Sequence, residues 1–170
     1  LEIYATLDWR SLFKGKIVSS ILINIPNIYL VQGPTKETSQ YGKGVDWLQV
    51  VKDLTPIEVN VFEIKQGNIY FKTFHTKPQV DIYFNNLYFK ATNIRNTIEK
   101  GKALPSTIQM HAYTIGSGNI NLEGRFFALK QIPDFDLNME LENINLPDYN
   151  NLFRAYGNFD IEEGQIVFNR

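Results

Sequence analysis

Apolar and polar residues alternate along most of this chain, as they do in β-strands that bury one face and expose the other. The alternation begins at residues 1–7, where positions 1, 3, 5 and 7 are apolar. It returns in further segments that the sequence predicts as strands, at residues 15–25, 27–31, 57–64, 69–71, 80–89, 108–112, 120–126, 135–146 and 159–168. The intervening positions are polar, for example Asp81, Gln109, Asn121 and Glu140. The pattern therefore predicts an antiparallel meander with one solvated face.

The motif I-x-x-G-x-I-x-F occurs twice, at residues 64–71 and 161–168. Its glycines are Gly67 and Gly164, and a looser copy begins at Gly118. Glycine accepts the positive φ that tight hairpin turns require. We therefore expect each full copy to be a strand, a turn at the glycine and a new strand, and we expect Gly118 to precede a strand.

The alternation changes phase at three places in the chain. We expect phase slips between Val61 and Phe62, at Asn85-Asn86, and after Leu141. An extra residue in one strand, a β-bulge, is the usual cause of such a slip. Pro26 lacks a backbone donor, so it is predicted at a strand start, a bulge or an edge.

Short helices and one polar loop separate the predicted strands. The helices are predicted at residues 9–13 after the N-cap residue Asp8, at residues 46–54, and at residues 147–156 before Gly157. Residues 33–44 are polar and rich in glycine, which predicts a mobile loop.

Composition excludes several classes of function. Lys and Arg total 17 against 18 Asp and Glu, so the chain lacks the basic surplus typical of nucleic-acid binding. Cysteine is absent, which excludes disulfides, thiolate metal sites and cysteine nucleophiles. The 170 residues predict a single domain spanning 1–170. Because the sequence begins within a predicted strand, we expect a segment excised from a longer protein.

Candidate catalytic, metal-binding and base-stacking residues each have a simpler interpretation. The candidates are His75 and His111, the Gly116-Ser117-Gly118 segment, the Glu162-Glu163 pair, and the aromatic residues Tyr83, Phe84, Tyr88 and Phe89. No motif for nucleophilic catalysis, phosphate binding or zinc binding accompanies them. We therefore predict no catalytic residue, no metal site and no cofactor.

The apolar strand positions remain as the candidate functional surface. We predict that they line a one-sided apolar groove in a curved, taco-like antiparallel sheet of a mainly β protein with two or three short helices. The predicted groove residues are Val59, Val61, Ile69, Phe71, Ile82, Phe84, Ile108, Met110, Ile120, Leu122, Leu137, Met139 and Leu141. A closed β-sandwich core is the simpler alternative for the same residues.

Residues 137–166 combine apolar strand positions, the helical segment Leu146-Pro147-Asp148-Tyr149 through Ala155-Tyr156-Gly157, and the Gly164-x-Ile166 step. In this combination they resemble the AsmA-like envelope proteins of Gram-negative bacteria. The stretch from Gly15-Lys16-Ile17-Val18 to Leu30, followed by Trp47-Leu48 and residues 64–71, is similar to that family too.

This resemblance implies a non-catalytic, periplasmic β-groove that shields phospholipid acyl chains during transport between the two membranes or during outer-membrane assembly. It implies an inner-membrane anchor outside this segment, and contacts with the rest of the same chain and with other envelope proteins. Two other functions stay open. One is a structural or adhesive β-sandwich with a dry core, and the other is a lipocalin-like binder of a soluble hydrophobic ligand.

Overall fold

A computed structural model describes residues 1–15, 17–35, 38–39, 57–95, 106–127 and 134–169. Within them the strands are β1 (Glu2–Leu7), β2 (Ile17–Asn24), β3 (Asn27–Gln32), β4 (Ile57–Thr73), β5 (Val80–Arg95), β6 (Ser106–Thr114), β7 (Asn119–Phe127), β8 (Asp134–Asn145) and β9 (Gln165–Asn169). The helices are α1 (Trp9–Leu12) and α2 (Asn150–Tyr156), and 3-10 turns occupy Ile115–Ser117 and Leu146–Tyr149. The predicted helix at 46–54 and most of the predicted loop at 33–44 lie outside the described residues.

All the described strands belong to one open, curved sheet, which confirms the prediction of a mainly β, mostly antiparallel fold. From β4 to β9 each strand pairs with the next in antiparallel fashion. On the other side of β4 the pairing is parallel, which the sequence did not predict: β2 pairs with its first half and β3 with its second. Residues 33–56, between β3 and β4, are numerous enough for the crossover that parallel strands require.

Pro26 separates β2 from β3, at a strand boundary as predicted. It follows Ile25, whose φ of 52° interrupts the extended backbone. The backbone still pairs with β4 on both sides of the break: the Ile25 N–H donates to the Lys65 carbonyl over 2.8 Å, and the Asn68 N–H donates to the Pro26 carbonyl over 2.7 Å. Although Pro26 has no N–H to donate, the backbone groups on either side of its ring keep their hydrogen bonds to β4.

The first copy of the glycine motif is part of one long strand, so its prediction as a hairpin was wrong. β4 passes through Gly67 without turning. The positive φ falls on Gln66, at 53°, while Gly67 is buried where a side chain would collide. An added Cβ at Gly67 would lie 2.9 Å from Cγ2 of Ile64 and 3.2 Å from Cγ of Pro26. Gly67 therefore provides space for close packing, and Gln66 forms the bulge.

The second copy is not a hairpin either. Gly164 has a φ of 153°, and β9 begins directly after it and pairs with β8. The residues before the glycine belong to the connection from α2, where the Leu146 N–H donates to the Gly164 carbonyl over 3.0 Å. The looser copy behaves as predicted, because β7 begins at Asn119, immediately after Gly118.

Two of the three predicted phase slips are confirmed. The pairing register shifts at Asn86 and again between Leu141 and Ile144, where Asn86 and Asn143 have φ values of 50° and 55°. The slip predicted between Val61 and Phe62 is wrong, because β4 and β5 stay in register from Glu58 to Ile64. The shift in β4 comes later, at Gln66.

Substitutions at Gln66 and Gly67 test whether Gln66 carries the strained backbone conformation and Gly67 provides space for packing. Gln66→Gly relieves a left-handed conformation that costs about 1–2 kcal/mol, against an entropic loss of about 0.5–1 kcal/mol. We therefore expect it to raise the free energy of unfolding by about 0.5–1 kcal/mol. Gly67→Ala overpacks a buried site and should lower it by about 1–3 kcal/mol.

Urea titration of the purified chain measures both changes. Glu123→Ala, at an exposed position on β7, serves as the control and should shift the midpoint little. A stabilising Gly67→Ala, or a strongly destabilising Gln66→Gly, would contradict the assignment.

Candidate functional site

One face of the sheet is apolar across five neighbouring strands. The in-register pairs place Ile64, Phe89, Met110, Leu122 and Met139 side by side from β4 to β8, and we call these residues the central row. A second row, the outer row, consists of Phe62, Ala91, Ile108, Gly124 and Leu137. Because paired residues in a ladder share a face, the two rows form one continuous apolar face.

Eleven of the predicted groove residues lie on this apolar face. Six of them form the register pairs Ile69 with Phe84, Phe71 with Ile82, and Ile120 with Leu141. The other five belong to the two rows: Ile108, Met110, Leu122, Leu137 and Met139. The strand alternation predicted this grouping, because residues two apart on a strand share a side. Whether the face binds lipid stays a prediction.

Val59 and Val61 were predicted on the apolar face but lie on the opposite, polar face. Val61 pairs with Thr92, whose hydroxyl lies 2.6 Å from that of Thr107. The next residue, Phe62, pairs with Ala91 on the apolar face. The misplaced phase slip caused the error, since a shift of one residue moves a side chain to the other face.

The predicted groove omitted three central residues of the site. Ile64 is buried, and Phe62 and Phe89 pack against its cluster with Leu87 and Ala112. The rings of Phe62 and Phe89 meet edge to face, with centroids 6.0 Å apart. A slip placed at Gln66 would have grouped Phe62 and Ile64 with Ile69 on one side of β4, and the predicted slip at Asn86 already places Phe89 on that side of β5.

A short lid covers one end of the apolar face. The lid consists of the 3-10 turn Leu146–Tyr149 and helix α2, which ends at Gly157 as predicted. At its start, the Tyr149 and Thr114 hydroxyls lie 2.6 Å apart. At its end, the Tyr156 hydroxyl donates to the side-chain oxygen of Gln32, on β3, over 2.8 Å. The lid therefore bridges from β8 to β3 across the strands between them.

Further hydrogen bonds hold the lid against the segment that follows it. The Asn150 side chain accepts from the Ile161 N–H over 2.8 Å and donates to the Ile161 carbonyl over 2.9 Å. Arg154 forms an ion pair with Asp160, and the Phe153 and Phe159 rings stack with centroids 5.1 Å apart. These contacts fix the lid as an ordered element.

Beneath the lid lies an apolar pocket of about 250 Å³. Its walls are Phe84, Ile120, Leu141 and Ile144 from the sheet, Leu146, Tyr149 and Phe153 from the lid, and Thr114 and Ile166 beside them. Burial raises the pKa of the Tyr149 phenol above its ordinary value, while its hydrogen bond to Thr114 opposes part of that rise. The pocket therefore offers shape and apolar contact with almost no polar recognition.

Away from the lid the apolar face becomes exposed. Ala112 and Leu87 are buried beside the lid end, whereas Leu137 is 42% exposed and Phe135 is 66% exposed at the far end of β8. The face therefore has a covered end and an open end. In the described part of the chain, no second sheet packs over it.

The polar face carries hydrogen-bonded side chains, and among the described residues no group of three or more His, Asp or Glu side chains is placed to hold a metal ion. His111 lies on this face, with its Nδ1 atom 2.6 Å from the Asn121 side-chain oxygen. His75 is exposed, and its Nδ1 atom lies 3.1 Å from the Gln32 carbonyl. Ser117 belongs to the turn between β6 and β7, as predicted.

Comparisons with protein-family models, curated proteins and solved structures find no match for this chain. The resemblance to AsmA-like proteins therefore stays a prediction. Among the described residues, no helix has the length and apolar character needed to cross a membrane.

The half-buried phenol of Tyr149 predicts a pH dependence of stability. Unfolded chains release this proton at a pKa of about 10, and the folded state retains it to higher pH. The folded state is therefore penalised as pH rises above about 10. Between about pH 9.5 and 11, we expect the free energy of unfolding to fall more for the native chain than for Tyr149→Phe.

Urea titrations across this pH range measure the difference. Thr114→Val provides the matched control, because it removes the same hydrogen bond, worth about 0.5–1.5 kcal/mol, and keeps the phenol. It should weaken the chain at neutral pH and leave the alkaline decline in place. Equal alkaline profiles for Tyr149→Phe and the native chain would contradict the prediction.

Proposed function

We propose that this chain is a non-catalytic segment that shields lipid acyl chains on its apolar face. The observation that carries the proposal is the uneven covering of that face, closed by the lid at one end and exposed at Leu137 and Phe135 at the other. A sheet with an exposed apolar face of this extent gains stability by binding an apolar partner.

The dimensions of the face suit an acyl chain. The central row crosses five strands, which corresponds to about 19 Å at the usual strand spacing. An acyl chain fills one leaflet of a hydrocarbon core about 30 Å thick, or about 15 Å. A chain lying along the central row would therefore contact side chains over its whole length.

The chemistry of the face favours binding without strong selectivity. Each methylene removed from water contributes about 0.8 kcal/mol. The pocket beneath the lid presents almost no polar group that could distinguish one headgroup from another. Such affinity suits a conduit, since a lipid held by chain contacts alone can also leave.

The AsmA-like resemblance supplies the cellular setting of the proposal. In that setting the segment lies in the periplasm, in a protein anchored to the inner membrane outside this segment. It contributes to phospholipid transport between the membranes or to outer-membrane assembly, in contact with the rest of its chain and with other envelope proteins.

The two alternative functions require architectures that the described residues do not form. A sandwich needs two packed sheets, and every described strand belongs to one sheet. A lipocalin-like barrel needs its first and last strands to pair, whereas β1 and β9 lie at opposite edges of the described sheet. These observations favour an open, accessible apolar face.

Photo-crosslinking from adjacent residues tests the proposal. A photoreactive phenylalanine analogue at Leu122 faces the apolar side, and the same analogue at Asn121 faces the polar side of the same strand. With detergent-dispersed phospholipid, we expect lipid adducts at Leu122 and few at Asn121, measured by mass spectrometry of the intact chain.

A second pair checks the assignment of faces in β4. The analogue at Phe62 should label lipid, whereas at Val61 it should not. Equal labelling at both members of each pair, or labelling only from Asn121 and Val61, would refute the proposed function.

A further inference from the structure

The connection between β1 and β2 holds large apolar side chains out in solvent. We call residues 8–15 the tip. Trp9 is 64% exposed and Phe13 is 90% exposed, and Leu12 is also exposed. No residue of α1 is buried. Ordinary hairpin connections are polar, so this apolar exposure needs a physical reason.

The tip is an ordered turn. Asp8 caps α1, as the sequence predicts, by accepting from the Arg10 N–H over 3.0 Å and from the Ser11 hydroxyl over 2.7 Å. The N–H groups of Phe13 and Lys14 donate to the carbonyls of Trp9 and Ser11. These hydrogen bonds order the backbone from which Trp9 and Phe13 project.

A second anchor joins the tip to the sheet. The Asp8 N–H donates to the Val18 carbonyl over 2.9 Å, which ties the start of the turn to β2. At the other end, Gly15 has a φ of 74° with nothing within 4 Å of its Cβ position, so the backbone turns back without a steric cost. The backbone of the tip is therefore tied to the sheet, and its apolar side chains project from it into solvent.

The charges of the tip are mainly positive. Arg10 and Lys14 are exposed next to Trp9 and Phe13, and Lys16 follows them in the sequence. The opposing charge is Asp8, whose carboxylate is engaged as the helix cap; these hydrogen bonds lower its pKa. The net charge of the whole chain is only −1, so the tip is a local concentration of positive charge.

We propose that the tip docks on the interface of a bilayer that contains anionic phospholipid. Tryptophan and phenylalanine partition into the boundary between headgroups and acyl chains. Arg10 and Lys14 lie beside them, where they meet the anionic headgroups. A protein partner would cover the apolar residues equally well, but the flanking cations favour an anionic membrane surface.

The proposed docking site is separate from the apolar face and does not rest on the proposed function. The tip is the connection between β1 and β2, whereas the central row spans β4 to β8. Docking would place the chain at a membrane surface whether or not acyl chains bind to the sheet.

Vesicle binding of the whole 170-residue chain tests the inference. The chain has two tryptophans, Trp9 and Trp47, so a Trp47→Phe background makes Trp9 the reporter. With vesicles of mixed phosphatidylglycerol and phosphatidylethanolamine, we expect Trp9 emission to shift to shorter wavelength. Vesicles of phosphatidylcholine alone should give weaker binding, and added salt should weaken binding to the anionic vesicles.

Variants locate the contact. Phe13→Ser should reduce the vesicle partition coefficient about tenfold or more, and a paired Arg10→Gln and Lys14→Gln variant should remove the preference for anionic vesicles. Phe74→Ser is the matched control, because Phe74 is an exposed phenylalanine (62%) outside the tip and should not change binding. All these positions are exposed, so the variants should have the same urea midpoint of unfolding as the native chain.

Two outcomes would overturn the inference. One is the absence of any Trp9 shift with anionic vesicles, and the other is equal loss of binding in Phe13→Ser and Phe74→Ser. The crosslinking at Leu122 uses dispersed lipid and no bilayer, so it reports on the apolar face alone. Adducts at Leu122 without vesicle docking would contradict this inference only, and docking without adducts would contradict the proposed function only.

Discussion

In-register pairing of the long strands β4 to β8 is the constraint on which the rest of this molecule depends. Few of the described side chains are fully buried, and three of the buried apolar ones, Ile64, Leu87 and Ala112, form one cluster. The sheet is therefore held by its backbone ladder and by half-buried rows of cross-strand pairs, each contributing about 0.2–1 kcal/mol. The same pairing brings apolar residues of five strands onto one face, so the ladder creates the candidate site as well as the fold.

Three bulges preserve that face where the sequence spacing would destroy it. Ile64 and Gly67 are three residues apart, as are Leu141 and Ile144, and an odd spacing would place them on opposite faces of a regular strand. Gln66, Asn86 and Asn143 each adopt a left-handed conformation that absorbs one residue. Asparagine tolerates this conformation better than most residues. At the bulge in β4 the conformation falls on Gln66, while its neighbour Gly67 leaves room for Pro26 and Ile64 to pack.

The two ends of the apolar face differ in what they can do. At the lid end, Tyr149 and Phe153 form part of an open pocket with apolar walls, so an occupant there would contact apolar side chains on those walls. At the far end, Phe135 and Leu137 stay accessible. The way from the open end to the lid end follows the strand direction and crosses the central row, for example from Phe135 through Leu137 and Met139 to Leu141 on β8. The polar face, with His111 and Asn121 bonded to each other, keeps the other side of the sheet solvated.

The sequence alone determined the class of fold, the short helix before Gly157, the cap at Asp8 and the bulge at Asn86, because these depend on local patterns of two to four residues. It also placed eleven of the thirteen predicted groove residues on one face. Only the tertiary structure decided where β4 changes phase, since the slip position depends on which residues of β5 pair with it, and this moved Val59 and Val61 to the polar face. The parallel pairing of β2 and β3 with β4, the packing role of Gly67 and the lid across the apolar face likewise depend on contacts between distant segments, and alternation along a strand carries no information about its neighbours.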